Sequence, residues 1–236
     1  MDAVPGRAVR PIERSVTLAR IATARIRDAI VNGDLALGAP ISERLLAERL
    51  AISTTPVREA LTQLRLEGLV RIVPQRGAFV FTLSATEVVE ICEVRQSLEA
   101  SAMRYALERH RDLLLDDLGA VVKNMTAARA KGDLKAYLAA DTDYHQCFFK
   151  HCGNRYMADA YGIFVGKIAA LRTHLAGKPR HTEKSFAEHK RMLKLLRRGE
   201  IAEALSTLDT HIGRTKTTYA REIEDIAAAD EQRRAS

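Results

Sequence analysis

Tryptophan is absent from the 236 residues, and phenylalanine and tyrosine contribute only six each. Cysteine is also scarce: Cys92, Cys147 and Cys152 are the three thiols, and no two of them have the C-x-x-C spacing of a metal or redox site. We therefore expect reduced cysteines in a cytoplasmic protein. No apolar run approaches the roughly 20 residues of a membrane-spanning helix, and the N-terminus lacks a signal-peptide core, so no membrane partner is predicted.

Lysine is missing from residues 1–83, which instead hold 12 arginines against 8 acidic residues. The whole chain has a formal net charge of +7, and the basic excess is denser in its first third than in the rest. Such an excess fits a nucleic-acid partner, because contacts to phosphates supply much of the affinity of nucleic-acid-binding proteins. A modest excess is also common among soluble proteins, so charge alone does not decide between these explanations.

Two short helices are predicted between residues 41 and 68. Ser42 can cap the first helix, and Ser53 can cap the second. Residues 51–52 form a tight turn between them, and Gly68 ends the second helix. This arrangement is typical of a helix-turn-helix, in which the second helix enters a DNA groove.

A hairpin is predicted directly after these helices. Residues 69–73 and 78–81 are rich in β-branched and apolar side chains, and Pro74–Gly77 between them has the composition of a turn. With a further helix over 16–32, the order of elements is that of a winged helix-turn-helix. Taken singly, each arginine is equally well explained as a solvated side chain, and each hydroxyl as a helix cap. The combined order favours contact with DNA through Arg44, Ser53, Thr54, Thr55, Arg58, Arg76 and Gly77.

No strand pattern appears after Ser84, where Ser84–Glu87 has the spacing of a capping box. The rest of the chain predicts an antiparallel bundle of six helices, at residues 85–109, 112–130, 133–151, 154–177, 183–198 and 201–227. The fold class is thus mostly α, with a winged helix-turn-helix followed by an all-α six-helix bundle. The predicted divisions are a flexible N-terminus over 1–14, a DNA-binding domain over 15–83, a helical domain over 84–228 and a flexible tail over 229–236.

Four polar residues stand on the apolar stripes of the bundle helices. Asp141 and His145 are spaced i, i+4 on one stripe, while His189 and His211 each stand on another. A buried carboxylate is costly unless it is paired or binds a metal, and one carboxylate with three imidazoles is a normal ligand set for Zn²⁺ or Ni²⁺. The alternative is four separately satisfied core residues, which is the commoner situation for a single histidine on an apolar face.

Arg95 also stands on an apolar stripe, so its guanidinium is predicted to face the core. Two explanations remain open at this point. One is bidentate binding of the carboxylate of a small effector, and the other is an internal pair with a buried carboxylate such as Asp141. Arg172 and Asn154 are weaker candidates for the same effector pocket.

Residues 18–81 resemble the DNA-binding domain of the GntR family of bacterial transcription regulators. The residues that carry the resemblance include Gly33, Gly38–Ile41, Val57–Leu61, Glu67–Leu69 and Gly77–Val80. The resemblance implies operator contacts through Arg44, Thr54, Thr55, Arg58, Arg76 and Gly77. Some relatives have an arginine where this chain has Thr54, which implies a different base preference here.

Residues 84–227 resemble the all-helical FCD effector-binding domain of one GntR branch, and the count of six helices resembles its VanR-like division. The matching residues are Arg95 with Leu98-Glu99, Asp141-x-x-x-His145, Gly153-Asn154, Glu188-His189 and His211. In that family the aspartate and the three histidines bind a divalent metal, whose open positions take water or a carboxylate effector. The resemblance therefore implies a metal ligand set of Asp141, His145, His189 and His211.

These observations predict a cytoplasmic, metabolite-responsive transcription regulator, most simply a repressor. It would bind a near-palindromic double-stranded operator as a homodimer and a small organic acid as effector. One alternative is a metal sensor in which the ion itself is the signal. The other is a metal-dependent hydrolase, which is disfavoured because the chain has no His-Glu-x-x-His motif and because Glu188 is predicted to point away from the ligand face. We therefore predict that the protein is not an enzyme.

Overall fold

The computed structural model describes residues 17–176 and 181–235. Its helices are α1 (Leu18–Val31), α2 (Glu43–Leu50), α3 (Thr54–Leu66), α4 (Ala85–Ala130), α5 (Leu134–His151), α6 (Arg155–Leu175), α7 (His181–Arg198) and α8 (Ile201–Ala235). Its strands are β1 (Pro40–Ile41), β2 (Val70–Val73) and β3 (Gly77–Val80). The mostly α fold class is confirmed. The predicted flexible N-terminus and the predicted break at Gly177–Pro179 lie outside the described residues.

Helices α2 and α3 form the predicted helix-turn-helix. The hydroxyl of Ser42 accepts a hydrogen bond from the backbone N–H of Leu45 at 3.3 Å, as a capping residue does. Ala51 follows α2 in the left-handed conformation, with φ of 54°, and this produces the tight turn. Ser53 occupies the N-cap position of α3, but its side chain makes no capping hydrogen bond, so the prediction of a hydroxyl cap there is wrong. This start of α3 is exposed, so water can satisfy its backbone N–H groups.

Strands β2 and β3 form the predicted hairpin, with Gln75 (φ 61°) and Gly77 (φ 95°) in its turn. Strand β1 was not predicted. It pairs antiparallel with β3, with Ile41 opposite Ala78, and gives the sheet the order β1-β3-β2. Two residues are too few to show an alternating pattern, so this strand depends on the neighbouring hairpin rather than on its own sequence.

Helix α4 begins with the predicted capping box, in which Ser84 and Glu87 each bond the other's backbone. It spans 46 residues and consists of two helices joined at a kink, in agreement with the two helices predicted there. His110 has non-helical angles, φ of −143° and ψ of 46°, so a kink falls where the break between the two helices was expected. Helix α8 extends past the predicted end at residue 227 to Ala235, because residues 227–235 contain no glycine or proline.

Helix α6 of the bundle packs directly on the winged part of the chain. A Cβ atom placed on Gly166 would lie 3.2 Å from a methyl group of Leu69, which follows the end of α3. The ammonium group of Lys167 lies so close to Gly68 that a Cβ there would be 2.6 Å from Nζ. The helical bundle therefore contacts the chain just after α3, the helix that is predicted to enter DNA. Within the described ranges, no helix has both the length and the apolarity to cross a membrane.

Candidate functional site

The residues that were predicted to contact DNA are all exposed in the structure. Ser53, Thr54 and Thr55 are exposed at the N-terminus of α3, where backbone N–H groups and the helix dipole favour an anion. Arg58 lies one turn further along α3 and its Nε donates to Glu43 on α2 at 2.8 Å. An exposed pair of this kind contributes at most about 1 kcal/mol, so the guanidinium is available to exchange Glu43 for a phosphate or a base edge.

Two further predicted contacts lie beside α3. Arg44 is highly exposed and pairs with Glu48 one turn along α2, with 2.7 Å between Nη1 and Oε1. Arg76 and Gly77 are exposed at the wing tip, and in the described part of the chain nothing lies within 4 Å of the position that a Cβ of Gly77 would occupy. All seven residues that were predicted to contact DNA are exposed, and Arg44 and Arg58 are held only by exposed ion pairs.

Inside the bundle, three histidines from three helices meet. His145 of α5, His189 of α7 and His211 of α8 are all buried, and each offers a ring nitrogen within 4.8 Å of the others. Burial lowers the pKa of all three imidazoles, that of His189 to about 3, and nearby positive charges on Arg95 and Arg172 lower the pKa of His145 further. The rings are therefore neutral near pH 7, which is the form that ligates a metal.

Carboxylates orient two of these rings. Nδ1 of His145 donates to Glu99 at 2.7 Å, which leaves Nε2 as a lone-pair nitrogen that accepts from Arg95 Nη2 at 2.9 Å. Nδ1 of His211 donates to Glu188 at 2.7 Å, so its Nε2 is likewise the free nitrogen. Carboxylates in this position fix the tautomer of a metal-binding histidine and raise its basicity. Glu188 is not part of the cluster of histidine nitrogens, but it binds the back of the His211 ring, a contact that the sequence did not predict.

Asp141 is buried beside the three histidines but outside their cluster of ring nitrogens. Its Oδ2 lies 2.7 Å from Nε of Arg172 on α6, and its Oδ1 lies 3.5 Å from Nδ1 of His189. Burial alone would raise the pKa of this carboxyl, but the charge of Arg172 and the adjacent imidazoles hold it well below its usual range. Helical periodicity correctly predicted that Asp141 is buried; it did not predict Arg172 as its partner, because the two residues are on different helices.

Arg95 is fully buried and pairs with Glu99 rather than with Asp141, with 2.5 Å between Nε and Oε1. Burial by itself lowers the pKa of this guanidinium, but the charge and hydrogen bonding of Glu99 raise it above its ordinary value. Tyr161 of α6 donates to the same carboxylate at 3.3 Å. Sequence reasoning missed this role of Glu99, although its spacing of four residues from Arg95 was a usable signal.

The remaining candidates lie elsewhere. The side-chain oxygen of Asn154 accepts from the backbone N–H groups of Tyr156 and Met157 and caps α6, so the structure does not bring it to the histidines. His151 pairs with Asp117 at 2.8 Å, and His174 is exposed on α6. The candidate site therefore consists of the three histidines with Asp141, the two buried arginines, and the carboxylates of Glu99 and Glu188.

This donor set fits a divalent ion. Two nitrogens bound to one zinc ion lie at most about 4 Å apart, which is twice the Zn–N distance. The rings, whose ligand nitrogens lie within 4.8 Å of each other, need to approach by less than about 1 Å. The hydrogen bond from Arg95 to Nε2 of His145 uses the lone pair that would bind the ion. A metal at this position therefore requires the guanidinium of Arg95 to move away from the ring.

The sequence matches two family models. Residues 18–80 match the model of bacterial regulatory proteins of the gntR family, and residues 90–214 match the FCD domain. An uncharacterized HTH-type transcriptional regulator in an unstable DNA locus of Streptomyces ambofaciens is 28% identical over 196 residues, covering 80% of this chain and 79% of that protein. A probable D-xylose utilization operon transcriptional repressor of Paenarthrobacter nicotinovorans is 32% identical, covering 62% of this chain and 68% of the relative.

A solved structure has the same fold. The E. coli protein McbR/YncC superimposes with a TM-score of 0.77, covering 88% of this chain and 99% of that chain. The two sequences are 19% identical, so the likeness shows a shared architecture and nothing about ligands.

Proposed function

Because the chain belongs to the GntR family of bacterial regulatory proteins and is a transcription regulator with an FCD domain rather than an enzyme, we propose that it is a metabolite-responsive repressor. In this proposal the winged part, over residues 15–83, binds an operator. The helical part, over residues 84–228, binds a divalent metal and a small organic acid that together change operator affinity. The protein acts in the cytoplasm, where both the chromosome and the acid are found.

The proposed operator is near-palindromic double-stranded DNA bound by a homodimer. A single α3 reads too few base pairs for specificity, and two copies related by a two-fold axis double the site. The exposed start of α3 and the exposed wing tip support this assignment, because the structure leaves every predicted contact residue accessible: Arg44, Ser53, Thr54, Thr55, Arg58, Arg76 and Gly77.

The proposed metal ligands are His145, His189 and His211, with Asp141 as a fourth once it turns from Arg172 toward the ion. Imidazole and carboxylate donors suit Zn²⁺ or Ni²⁺. Elemental analysis of protein purified without chelator measures the metal directly, and one ion per chain is expected. His211→Ala should lose the metal, whereas His174→Ala, which removes an exposed imidazole of α6, should retain it. Equal metal content in the two variants would contradict the ligand assignment.

The proposed effector is an anion because the site has buried cationic groups with unused donors. Nη1 of Arg95 is buried and has no hydrogen-bond partner among the described residues. An unsatisfied buried donor costs about 1–3 kcal/mol, and more when the group is charged. A carboxylate that binds Arg95 and the metal together would satisfy this donor, which favours an acid over a neutral sugar or an amine.

Helix α6 is the proposed connection between the effector and the operator. Its Tyr161 bonds Glu99, and its Arg172 bonds Asp141, so two of its side chains reach the proposed site. On the same helix, Gly166 packs against Leu69 at the end of α3. A small shift of α6 would therefore alter both the proposed effector site and the contact with the end of α3. The acid changes DNA binding only if it binds one position of α6 more tightly than the other.

The observation on which the proposal depends most is the cluster of three neutral imidazoles beside Arg95, in a bundle that contacts the end of α3. The test starts by selecting operators from random-sequence duplexes. Operator affinity is then measured with metal-loaded and metal-free protein, each with and without hydroxy, keto and dicarboxylic acids. A change that requires both metal and acid supports the proposal. A change with metal alone favours the metal-sensor alternative, and no change under any condition rejects both.

A further inference from the structure

A small cavity, whose wall includes several buried polar and charged side chains, lies beside His211. Helices α5, α6, α7 and α8 all contribute to its wall. It is lined by Tyr137, Leu138, Asp141, Arg172, His181, Thr182, Ser185, His211, Thr215 and Tyr219. Its volume is about 10 Å³, which is roughly the space that one water molecule requires. Polar walls of this kind are unusual in a bundle core, where an unfilled space is normally apolar.

Two side chains of this wall have polar atoms that the described part of the protein does not satisfy. Arg172 uses Nε for Asp141 and Nη1 for the hydroxyl of Thr142 at 3.0 Å, but its Nη2 is buried without a partner. The hydroxyl of Tyr219 is also buried without a partner. Both residues are at least nine-tenths buried. A guanidinium N–H and a phenol O–H that share one cavity are donors for the same kind of group, an anionic oxygen.

The balance of buried charges also favours an anionic ligand. The buried positive charges of Arg95 and Arg172 are matched by the carboxylates of Glu99 and Asp141. The buried cluster is therefore balanced before a metal enters. A divalent ion adds two positive charges, and a buried charge without compensation is strongly unfavourable. A monocarboxylate compensates one of these charges, whereas a dicarboxylate compensates both.

We propose that the effector is a dicarboxylic acid, with one carboxylate at Arg95 and the other between Nη2 of Arg172 and the hydroxyl of Tyr219. This inference rests on the proposed function and narrows its effector from small organic acids in general to dianions. It adds Tyr219, on α8, as a specificity-determining residue: the phenol distinguishes a ligand with a second carboxylate from one without it.

The size of the cavity has a consequence for regulation. A cavity of about 10 Å³ is too small for a carboxylate group, so the surrounding helices must move apart when the dicarboxylate binds. Arg172 is on α6, which packs against Leu69 beside α3, so widening the cavity moves the helix that contacts the DNA-binding part. The second carboxylate then binds more tightly in one position of α6 than in the other. A ligand regulates a protein only through such a difference in affinity between two conformations.

The experiment is a calorimetric titration of the zinc-loaded full chain with matched pairs of acids. Malonate, succinate and glutarate are each compared with the monocarboxylate of the same carbon number: propionate, butyrate and valerate. The best dicarboxylate should bind at least about tenfold more tightly than its partner, since it adds charged hydrogen bonds to two unsatisfied donors. Tyr219→Phe removes only the hydroxyl and should reduce this preference about tenfold while leaving monocarboxylate affinity unchanged.

Tyr137→Phe is the matched control. Tyr137 lines the same cavity, but its hydroxyl already donates to the backbone carbonyl of Thr182 at 3.0 Å, so the ratio of affinities should not change. Zinc content and the circular dichroism spectrum of each variant check that the site and the fold persist. The comparison of acids on the unmodified chain stands even if a variant fails to fold.

Three results would overturn the inference. Equal affinity within every matched pair would remove the role of the second carboxylate. If Tyr219→Phe lowers the affinity for the dicarboxylate and for its matched monocarboxylate equally, the phenol of Tyr219 has no role in the preference. The same conclusion follows if Tyr137→Phe changes the ratio of the two affinities as much as Tyr219→Phe does. If monocarboxylic acids alone bind and alter operator affinity, the proposed function stands and only the inference fails. If no acid of any class binds, the proposed function fails as well.

Discussion

At the scale of single residues, the orientation of a histidine ring depends on the nitrogen that points away from the proposed metal as well as on the nitrogen that faces it. Glu99 and Glu188 accept the Nδ1–H groups of His145 and His211, and each bond leaves the lone pair on Nε2. Neither glutamate was assigned this part from the sequence, because Glu188 is next to His189 in the chain but contacts His211 on another helix. The imidazoles are thus aligned by partners that lie behind them.

Glu188→Gln should weaken metal binding without removing a ligand. The amide can still accept from Nδ1 of His211, but it lacks the charge that raises the basicity of the ring, so an affinity loss of about 10- to 100-fold is expected. Competition with a chelating dye measures the affinity. Glu183→Gln, on the same helix and exposed, is the control. If the two variants bind metal equally well, Glu188 has no part in orienting the ligand.

Arg58→Ala should weaken operator binding by about 1–3 kcal/mol if the guanidinium makes a bidentate contact to a base. Its pairing with Glu43 is exposed, so the loss of that pair has little effect on folding. Gel-shift titration on a selected operator provides the measurement. Arg104→Ala, which removes an exposed arginine of α4, should leave affinity unchanged. An unchanged midpoint for Arg58→Ala would remove α3 from its assigned role in recognition.

At the scale of elements, α6 contacts both the candidate site and the winged part of the chain. Residues on one side of it bond the carboxylates of the candidate site, and Gly166 faces Leu69 at the end of α3. A glycine on a helix surface, such as Gly162 or Gly166, allows another element to pack close to the helix backbone. Gly166 does so, but its neighbour is in the winged part, which gives that packing a place in the proposed regulation.

Gly166→Ala tests this connection. Alanine favours the helix more than glycine does, so α6 itself is not weakened, but the added methyl lies 3.2 Å from Leu69 and pushes the surfaces apart. The factor by which acid changes operator affinity should fall about 2- to 30-fold, with metal content unchanged. Gly162→Ala adds the same methyl one turn away, where the described residues leave open space. Identical behaviour of the two variants would rule out coupling through this contact.

At the scale of the whole molecule, the proposed effect of the acid on DNA must be reciprocal. If the acid changes operator affinity by some factor, typically about 5- to 150-fold, the operator changes acid affinity by the same factor. Calorimetric titration of the metal-loaded protein with acid, with and without operator duplex, compares the two. Unequal factors would mean that the acid acts on something other than the conformational equilibrium of the folded protein, such as aggregation.

The general architecture was predictable from the sequence because its signals are local. The capping box at Ser84, the turn at Ala51 and the periodicity of the bundle each depend on residues within a few positions of one another. The kink at His110 separates the first two bundle helices where the sequence predicted a break, whereas β1 was missed because it depends on the neighbouring hairpin. The unbonded hydroxyl of Ser53 belongs to the same group, since solvent exposure replaced the expected cap.

For the candidate site, the sequence by itself determined which side chains are buried. Arg95, Asp141, His145, His189 and His211 stand on apolar stripes, and all five are buried in the structure. Only the tertiary structure decided their partners: Arg95 pairs with Glu99 and Asp141 with Arg172. Periodicity determines the direction in which a side chain leaves its helix axis, but it contains no information about which helix lies opposite or how far apart the two are.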